Sequence, residues 1–272
     1  MILVNGQPEN SIHVLDRGLQ YGDGLFETLA FRHGQLEFLN AHLSRLYRGC
    51  DRLKIGTQQL DSLLTAEIEQ ICNDLVEDSV IKIIITRGQG SRGYRIQADS
   101  PASRIISTHA MPNYPQKNQQ GIRVRLCQQT LSENTSLAGI KHLNRLEQVL
   151  ARSEWDDDEI SEGLMFNTQQ QLIEGTMSNI FIVKDGELFT PELALSGVAG
   201  IMREQIIHCT KQAGIAVVET VLTKNDLKNA DEIFLSNSII DIWPIIEIDG
   251  FSTYIYGNIT KKVQTLVANL TR

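Results

Sequence analysis

The sequence predicts an α+β protein of two domains, and three observations support this prediction. The chain has 272 residues, 42% of them hydrophobic and 21% charged, which is enough for one large or two modest globular domains. Apolar stretches with the periods of strands and of helices follow one another along it. Two prolines in a polar run mark a domain boundary. We therefore expect a small N-terminal domain over residues 1–111, a linker over 112–120 and a larger C-terminal domain over 121–272.

Charge, cysteines and apolar stretches narrow the class of protein. A net charge of −8 and a pI near 5.3 argue against nucleic acid or a membrane surface as the partner. Four cysteines without a CxxC pair indicate reduced thiols in a cytoplasmic protein. The acidic run 156–159 lacks the glycine and alternation of a calcium loop, so we expect no metal. Residues 1–6 are too short for a signal peptide, and no stretch approaches the roughly 20 apolar residues of a membrane span.

The elements of the N-terminal domain follow from periodicity and turn residues. β-branched residues dominate 80–86, and His33-Gly34 is a turn between two strands. Leucines at helical spacing mark a buried stripe on a helix that Asn40 can cap. The predicted strands are 2–4, 25–32, 35–38, 80–86 and 102–111, and the predicted helices are 40–54 and 58–75.

The C-terminal domain is predicted from the same signals. Residues 163–174 form a hairpin pattern, and 184–186 is a second hairpin turn. The predicted strands are 122–127, 163–167, 171–174, 180–183, 215–222, 231–238 and 242–250. The predicted helices are one directly after Lys141, one over 201–213 and one over 258–270.

Lys141 stands at a junction that suits a reactive amine. The small residues 138–139 form a turn, and Leu143, Leu146, Val149 and Leu150 recur at helical spacing, which predicts a helix with one buried face. A lysine at a rigid junction with apolar neighbours loses its proton easily and acts as a nucleophile. The alternative is an ordinary solvated lysine in front of a helix.

Two features indicate a site for an anion. Arg45 lies near the buried stripe of the first helix, where its charge needs a partner, either a structural carboxylate or a ligand phosphate. The glycine-rich entry 196–200 to the helix 201–213 exposes backbone N–H groups, and the helix dipole favours an anion there. No Walker lysine follows, so this is not a nucleotide P-loop.

Residues 88–93 match GxGxxG, but a dinucleotide site is not expected. No helix pattern follows, and no acidic residue lies about 20 positions further on to bind a ribose. The segment instead presents arginines at 87, 92 and 95 together with Tyr94. Arginine binds carboxylates with two parallel hydrogen bonds, so Arg92 and Tyr94 are candidates for binding substrate carboxylates. A basic, solvated loop is the alternative.

Glu174 ends an apolar strand beside a glycine. A carboxylate in that position could hold a protonated heterocyclic nitrogen, although most strand-end glutamates are surface residues. A pyridoxal phosphate site needs an amine, a partner for the pyridine nitrogen and a phosphate pocket. Lys141, Glu174, Arg45 and the helix start near 201 would supply these parts.

Several segments resemble the fold-type-IV pyridoxal phosphate enzymes, which include branched-chain and D-amino acid aminotransferases. They are Lys141, residues 174–181 (EGTMSNIF) and residues 200–203 (GIMR). Within that group the chain resembles the aminodeoxychorismate lyases in residues 21–28 (YGDGLFET), 87–94 (RGQGSRGY) and 139–148 (GIKHLNRLEQ). Branched-chain aminotransferases place a tyrosine five residues after the lysine, whereas this chain has Leu146.

The resemblance implies a fold, a cofactor and roles for particular residues. It implies a small N-terminal domain, a C-terminal pseudo-barrel domain and a homodimer that binds pyridoxal 5'-phosphate. Lys141 would bond the cofactor, and Glu174 would hold its ring nitrogen. The expected phosphate ligands are Arg45, the backbone of Ile201 and Met202, and Ser238, with Ser178 and Asn179 near the cofactor.

The resemblance also implies a reaction. A folate-pathway lyase would convert 4-amino-4-deoxychorismate into 4-aminobenzoate and pyruvate, with Lys141 removing the proton. Two alternatives remain at this point. The first is a D-amino acid or branched-chain aminotransferase of the same fold, and the second is a non-catalytic α+β binding protein.

Overall fold

The computed structural model describes residues 1–96 and 100–270, and its contacts divide the chain into two compact units. The first unit contains Met1–Pro112 with Ile140–Asn144, and the second contains Asn113–Gly139 with Arg145–Arg272. The boundary falls beside Pro112, but the expected linker is not a separate segment. Residues 113–120 group with the second unit and include the 3-10 helix Gln116–Gln119.

The first unit is built on an antiparallel sheet. Its strands are β1 (Ile2–Val4), β2 (Gln7–Pro8), β3 (Gly24–Arg32), β4 (Gln35–Leu36), β5 (Ser79–Thr86) and β6 (Ser103–Ala110). In the residues described they lie in the order β2-β1-β6-β5-β3-β4. β3 and β5 pair from Gly24 opposite Thr86 to Phe31 opposite Ser79. The β-branched run of β5 thus occupies the interior of the sheet, where such side chains pack well.

Three helices belong to the described part of this unit. They are α1 (Arg17–Tyr21), α2 (Leu39–Leu53) and α3 (Leu60–Asn73). α2 packs on β3, and α3 packs on β6. Gly49 lets α2 approach closely, because a Cβ there would lie 2.8 Å from Leu25 Cδ1. α2 begins after Phe38, which has a positive φ of 53° and provides no side-chain cap. The prediction that Asn40 caps this helix is therefore wrong, since Asn40 already lies in its first turn.

The second unit contains a mixed sheet. Its strands are β7 (Ile122–Leu131), β8 (Ile160–Asn167), β9 (Leu172–Gly175), β10 (Asn179–Lys184), β11 (Glu187–Pro191), β12 (Val217–Thr220), β13 (Glu232–Asn237), β14 (Asp241–Ile248) and β15 (Ser252–Thr253). Among the described residues the order is β12-β11-β10-β13-β14-β7-β8-β9, with β15 paired to β14. Leu172 in β9 donates to Leu222 O, just beyond β12, at 2.8 Å. The two ends of the sheet therefore approach each other, as the predicted pseudo-barrel requires.

Helices cover this sheet. They are α4 (Leu146–Arg152), α5 (Ile201–Gln212), α6 (Lys224–Lys228) and α7 (Asn258–Ala268). α5 and α7 contact each other, and both pack on β13. Trp243, Leu235 and Ile180 belong to the core beneath, and each is at most 1% exposed. The predicted two-domain α+β class is confirmed. Within residues 1–96 and 100–270, every helix is too short or too polar to cross a bilayer.

The region around Lys141 differs from the prediction. The expected helix begins five residues later, at Leu146, because the preceding backbone instead pairs with the edge of β3. Leu146, Val149 and Leu150 are 76%, 60% and 54% exposed, so the prediction that they bury one face of that helix is wrong for the single chain. The Lys141 segment itself groups with the first unit.

Candidate active site

Lys141 lies on the short segment beside β3 in the first unit. Its carbonyl oxygen accepts from Phe26 N at 2.9 Å, and Leu143 N donates to Gly24 O at 3.0 Å. The lysine is half-buried, and its Nζ lies 4.4 Å from the centroid of the Phe26 ring. Both the backbone and the side chain are therefore held, which favours the reactive amine over the solvated lysine.

Arg45 forms a buried cluster with Glu27 and His42 in the same unit. Its Nε donates to Glu27 Oε1 at 2.8 Å, and its Nη2 donates to Glu27 Oε2. His42 Nδ1 lies 2.7 Å from Glu27 Oε2. All three side chains are at most 7% exposed. Of the two partners predicted for Arg45, the structure thus supplies the carboxylate, and the phosphate stays a prediction.

The charges of this cluster are set by burial and by the ion pair. Burial raises the pKa of the Glu27 carboxyl, but hydrogen bonds from Arg45 and His42 outweigh it and hold that pKa below the usual value. Burial is the main cause that lowers the pKa of His42; Glu27 opposes this shift, the charges of Arg45 and Lys141 add to it, and the pKa lies below its usual value. Glu27 is thus ionised and His42 neutral at pH 7. Arg45 and Lys141 both lie near one buried histidine.

Sequence reasoning missed Glu27, although a signal for it existed. Glu27 alternates along β3 with Leu25 and Leu29, and all three are buried. A glutamate at an inward position of a strand needs a cationic partner, because an unpaired buried charge is costly. The neighbouring helix stripe offered that partner in Arg45.

The segment after β5 carries the candidate substrate ligands. Arg92 and Tyr94 are exposed, and the Tyr94 ring lies edge-on to Tyr21 with centroids 5.4 Å apart. Arg87 was expected to be presented by the same loop, but it is buried and bound to Asp23. That expectation is wrong for Arg87, because its position at the end of β5 places it against the end of α2.

In the second unit, Glu174 and Asn179 hold one peptide of the glycine-rich segment. Val198 N donates to Glu174 Oε2 at 2.8 Å, and Asn179 Nδ2 donates to Val198 O at 2.8 Å. Glu174 and Asn179 are 4% and 6% exposed. A surface role for Glu174, the alternative left open above, is therefore ruled out. The structure brings together these two residues, which the sequence analysis named as candidates for the cofactor site.

The start of α5 has the properties of an anion site. Gly200 is its N-cap and no side chain caps the helix, so the backbone N–H groups of its first turn, which begins with Ile201 and Met202, lack intrahelical acceptors. A Cβ at Gly200 would lie 1.9 Å from Asn179 Oδ1. Only glycine therefore fits between this helix start and Asn179.

Ser178 is held by a second buried carboxylate, Glu162, which the sequence did not reveal. Ser178 Oγ donates to Glu162 Oε2 at 3.1 Å. The backbone N–H groups of Gly163, Thr176 and Met177 and the Thr176 hydroxyl also donate to this carboxylate. Burial raises the pKa of Glu162. No local pattern marks a glutamate in a strand as the anchor of a turn more than ten residues further on.

Ser238 lies half-buried in the turn that follows β13. Asn237 Nδ2 donates to Met177 O at 3.0 Å, and Asn237 Oδ1 accepts from Ile239 N and Ile240 N. Asn179 is paired with Ser236 across β10 and β13. The second unit therefore brings the 177–179 turn, the Ser238 turn and the 198–202 segment to one neighbourhood.

These residues fit pyridoxal phosphate. The first unit provides a half-buried amine and a buried arginine, and the second provides a buried carboxylate and an uncapped start of a twelve-residue helix. The amine suits the aldehyde, the carboxylate suits a protonated pyridine nitrogen, and a helix N-terminus suits a phosphate. Each chemical group of the cofactor thus has a counterpart in the chain.

Known proteins resemble the whole chain. Residues 24–248 match the amino-transferase class IV family. The aminodeoxychorismate lyase of Vibrio harveyi is 36% identical over 271 residues, which cover 99% of each chain. The structure of the 4-amino-4-deoxychorismate lyase of Pseudomonas aeruginosa is 42% identical, with a TM-score of 0.94 over 99% of this chain and 98% of that one. The branched-chain amino acid aminotransferase of Escherichia coli is 27% identical, with a TM-score of 0.89 over 99% and 94% of the two chains.

The family match covers well over half of the chain, and the relatives align along nearly its full length. Proteins of this fold family and the lyases within it depend on pyridoxal phosphate. The sequence, the fold and the arrangement of the buried polar residues therefore agree on one assignment. The chain belongs to the class IV amino-transferase family.

Proposed function

We propose that this protein is a pyridoxal phosphate-dependent lyase that converts 4-amino-4-deoxychorismate into 4-aminobenzoate and pyruvate. The observation that carries the proposal is the likeness to two proteins named as this lyase, at 36% and 42% identity over nearly the full length. The Escherichia coli aminotransferase, by contrast, is 27% identical. The lyase is therefore favoured over an aminotransferase of the same fold.

The proposed cofactor ligands are the residues that the family resemblance implies. Lys141 would hold the cofactor at its aldehyde, and Glu174 would accept a hydrogen bond from the ring nitrogen. Glu174 already accepts from Val198 N, but a carboxylate has about four acceptor sites. Arg45, the backbone of Ile201 and Met202, and the Ser238 hydroxyl bind the phosphate, and Ser178 and Asn179 line the site. The five donors of a guanidinium allow Arg45 to serve Glu27 and a phosphate together.

Lys141 is the proposed proton carrier. When bound, pyridoxal phosphate supplies an electron-withdrawing ring that stabilises negative charge on the carbon next to the bonded nitrogen. The neutral Lys141 amine takes the proton from the amine-bearing ring carbon of the substrate. The bond between the ring and the enolpyruvyl oxygen then breaks, and the ring becomes aromatic. Lys141 Nζ returns the proton to the methylene carbon of the departing enolpyruvate, so that pyruvate forms and the lysine is regenerated.

Arg92 and Tyr94 are the proposed ligands of the substrate carboxylates. Both are exposed on the segment after β5. A guanidinium binds a carboxylate through two parallel hydrogen bonds, and a phenol adds a single donor. The substrate carries two carboxylates, and these two neighbouring side chains offer hydrogen-bond donors to them, with Arg92 also supplying a positive charge.

We further propose a cytoplasmic homodimer. The four cysteines are free thiols, which suits a reducing compartment. Leu146, Val149 and Leu150 lie on one face of α4, and each is more than half exposed in the single chain. A second copy of the chain would remove this apolar face from water.

The test of the function is release of both products. The purified protein, loaded with pyridoxal phosphate, is incubated with 4-amino-4-deoxychorismate while 4-aminobenzoate fluorescence and pyruvate are followed. We expect equal amounts of the two products. Glutamate formed from 2-oxoglutarate and a branched-chain or D-amino acid, with no 4-aminobenzoate, would instead establish the aminotransferase.

Removal of the amine tests the mechanism. We expect Lys141→Ala to lower the turnover rate by roughly 10³-fold or more, because the amine both bonds the cofactor and moves the proton. Borohydride reduction should attach the pyridoxyl group to the peptide that contains Lys141 in the wild type. Lys82→Ala is the matched control, since Lys82 Nζ lies over the same Phe26 ring at 5.4 Å. Full activity in Lys141→Ala would overturn the proposed role.

A further inference from the structure

The peptide between Arg92 and Tyr94 is held by side chains of α1. Arg17 Nη1 donates to Gly93 O at 2.9 Å, and Gly93 N donates to the Tyr21 hydroxyl oxygen at 3.3 Å. Both backbone polar groups of Gly93 thus have a partner on one short helix. Gly93 has a φ of 95°, which a residue with a Cβ adopts only with strain.

Arg17 is itself fixed by a buried network. It is 5% exposed, and its Nε donates to Asp23 Oδ2 at 2.9 Å. Asp23 also accepts from Arg87 Nε at 2.8 Å and from Arg87 Nη2 at 2.9 Å. Arg87 in turn donates to the carbonyl oxygens of Leu53 and Lys54 at the end of α2, both at 2.7 Å. A continuous set of charge-assisted bonds therefore runs from α2 to Gly93.

Packing reinforces these bonds. A Cβ at Gly90 would lie 2.7 Å from Arg17 Cδ, so the segment lies directly on the arginine. The Arg17 guanidinium lies over the Tyr21 ring at 4.9 Å, and the same ring contacts Tyr94 edge-on. Arg17 and Tyr21 thus touch the segment through both its backbone and a side chain.

Holding a glycine peptide has a consequence for its neighbours. Without these bonds, the segment around Gly93 would sample many backbone conformations, and ordering it on binding would cost free energy. A fixed Gly93 peptide sets the directions in which the Arg92 and Tyr94 side chains leave the backbone. The donors are then oriented before the ligand arrives, which favours affinity.

We propose that Arg17 and Tyr21 are positioning residues that determine affinity for the dicarboxylate substrate by fixing the Gly93 peptide. This inference rests on the proposed function, since Arg92 and Tyr94 are the carboxylate ligands proposed there. Arg17 and Tyr21 do not need to touch the substrate. They act through the two residues that flank Gly93.

The test separates affinity from turnover in the cofactor-loaded enzyme. We expect Arg17→Met to raise KM for 4-amino-4-deoxychorismate about tenfold or more, and Tyr21→Phe to raise it about threefold, with kcat within about twofold of the wild type. Arg17→Lys, which keeps the charge, should have a KM between those of Arg17→Met and the wild type. The matched controls are Arg48→Met and Tyr47→Phe, whose groups bind Ser44 and Asp61 on exposed surfaces and should leave KM unchanged.

A second measurement does not depend on activity. Trypsin cleaves after Arg92, and a held Gly93 peptide resists the extended conformation that the protease requires. We expect cleavage there to be several-fold faster in Arg17→Met and Tyr21→Phe than in the wild type and the controls. If Arg17→Met does not fold, KM and the cleavage rate are both measured on the milder variant Tyr21→Phe.

The outcomes distinguish this inference from the proposed function. An active wild type whose variants keep their KM and their cleavage rate would overturn the positioning role. Variants that lose kcat at unchanged KM would also overturn it. A wild type that releases no 4-aminobenzoate would overturn the proposed function instead.

Discussion

Glu27 shows how one residue can set the charge of a site without touching a ligand. It is 1% exposed, and its two oxygens accept from Arg45 and His42. It neutralises the arginine that is proposed to bind phosphate and keeps the guanidinium in one orientation. Without this partner, the buried Arg45 charge would destabilise the protein, and the guanidinium would no longer be held in one orientation.

We therefore expect Glu27→Gln to lower the free energy of unfolding by about 3 kcal/mol, because the Arg45 charge remains buried without its counter-ion. Equilibrium urea unfolding of the apoprotein measures this loss. Glu247→Gln is the matched control, since Glu247 pairs with Arg123 where both side chains are about one-third exposed, and its effect should be much smaller. Equal losses in the two variants would contradict the argument.

The Lys141 segment illustrates an element whose form was decided by a distant strand. Its apolar spacing resembles a helix, yet residues 141–143 pair with the edge of β3. The edge of a sheet offers unpaired N–H and C=O groups. Hydrogen bonds from a neighbouring segment to these groups stabilise the protein more than one additional turn of helix would. The lysine is thereby fixed in place beside a strand.

The start of α5 is the element that carries the anion site, and Gly200 is its key position. We expect Gly200→Ala to weaken pyridoxal phosphate binding by about tenfold or more, because the new Cβ pushes Asn179 off its bond to Val198 O and moves the helix start. Titration of the apoprotein with the cofactor, followed by absorbance, measures the affinity. Gly56→Ala should leave it unchanged, since a Cβ there meets no atom within 4 Å. Unchanged affinity in Gly200→Ala would contradict the proposal that Gly200 belongs to the phosphate site.

At the scale of the whole molecule, the proposed homodimer makes a direct prediction. We expect Val149→Asp to convert the dimer into a monomer, because it places a charge in the centre of the exposed apolar face of α4. Light scattering coupled to size exclusion measures the mass. Val76→Asp is the control, since Val76 is an isolated surface residue that is 95% exposed. A wild type that elutes as a monomer would contradict the proposal before any variant is made.

Much of this protein was accessible from the sequence alone. Most strands and helices were predicted from periodicity and turn residues, because those signals depend only on neighbouring residues. Lys141, Glu174 and Gly200 were singled out because turns, strand ends and helix starts leave local marks. The class of the protein was indicated by the resemblance of short segments to a known enzyme family.

Other features were decided only by the tertiary structure. Glu27, Glu162 and Arg17 owe their positions to partners 14 to 76 residues away in the chain, and no local pattern encodes such a pairing. The start of α4 was likewise fixed by contact between distant segments, since residues 141–143 pair with β3. Local sequence determines which elements form because turn residues and apolar periodicity depend on neighbouring residues alone. Which charges become buried together depends on packing, and packing is decided by the whole chain at once.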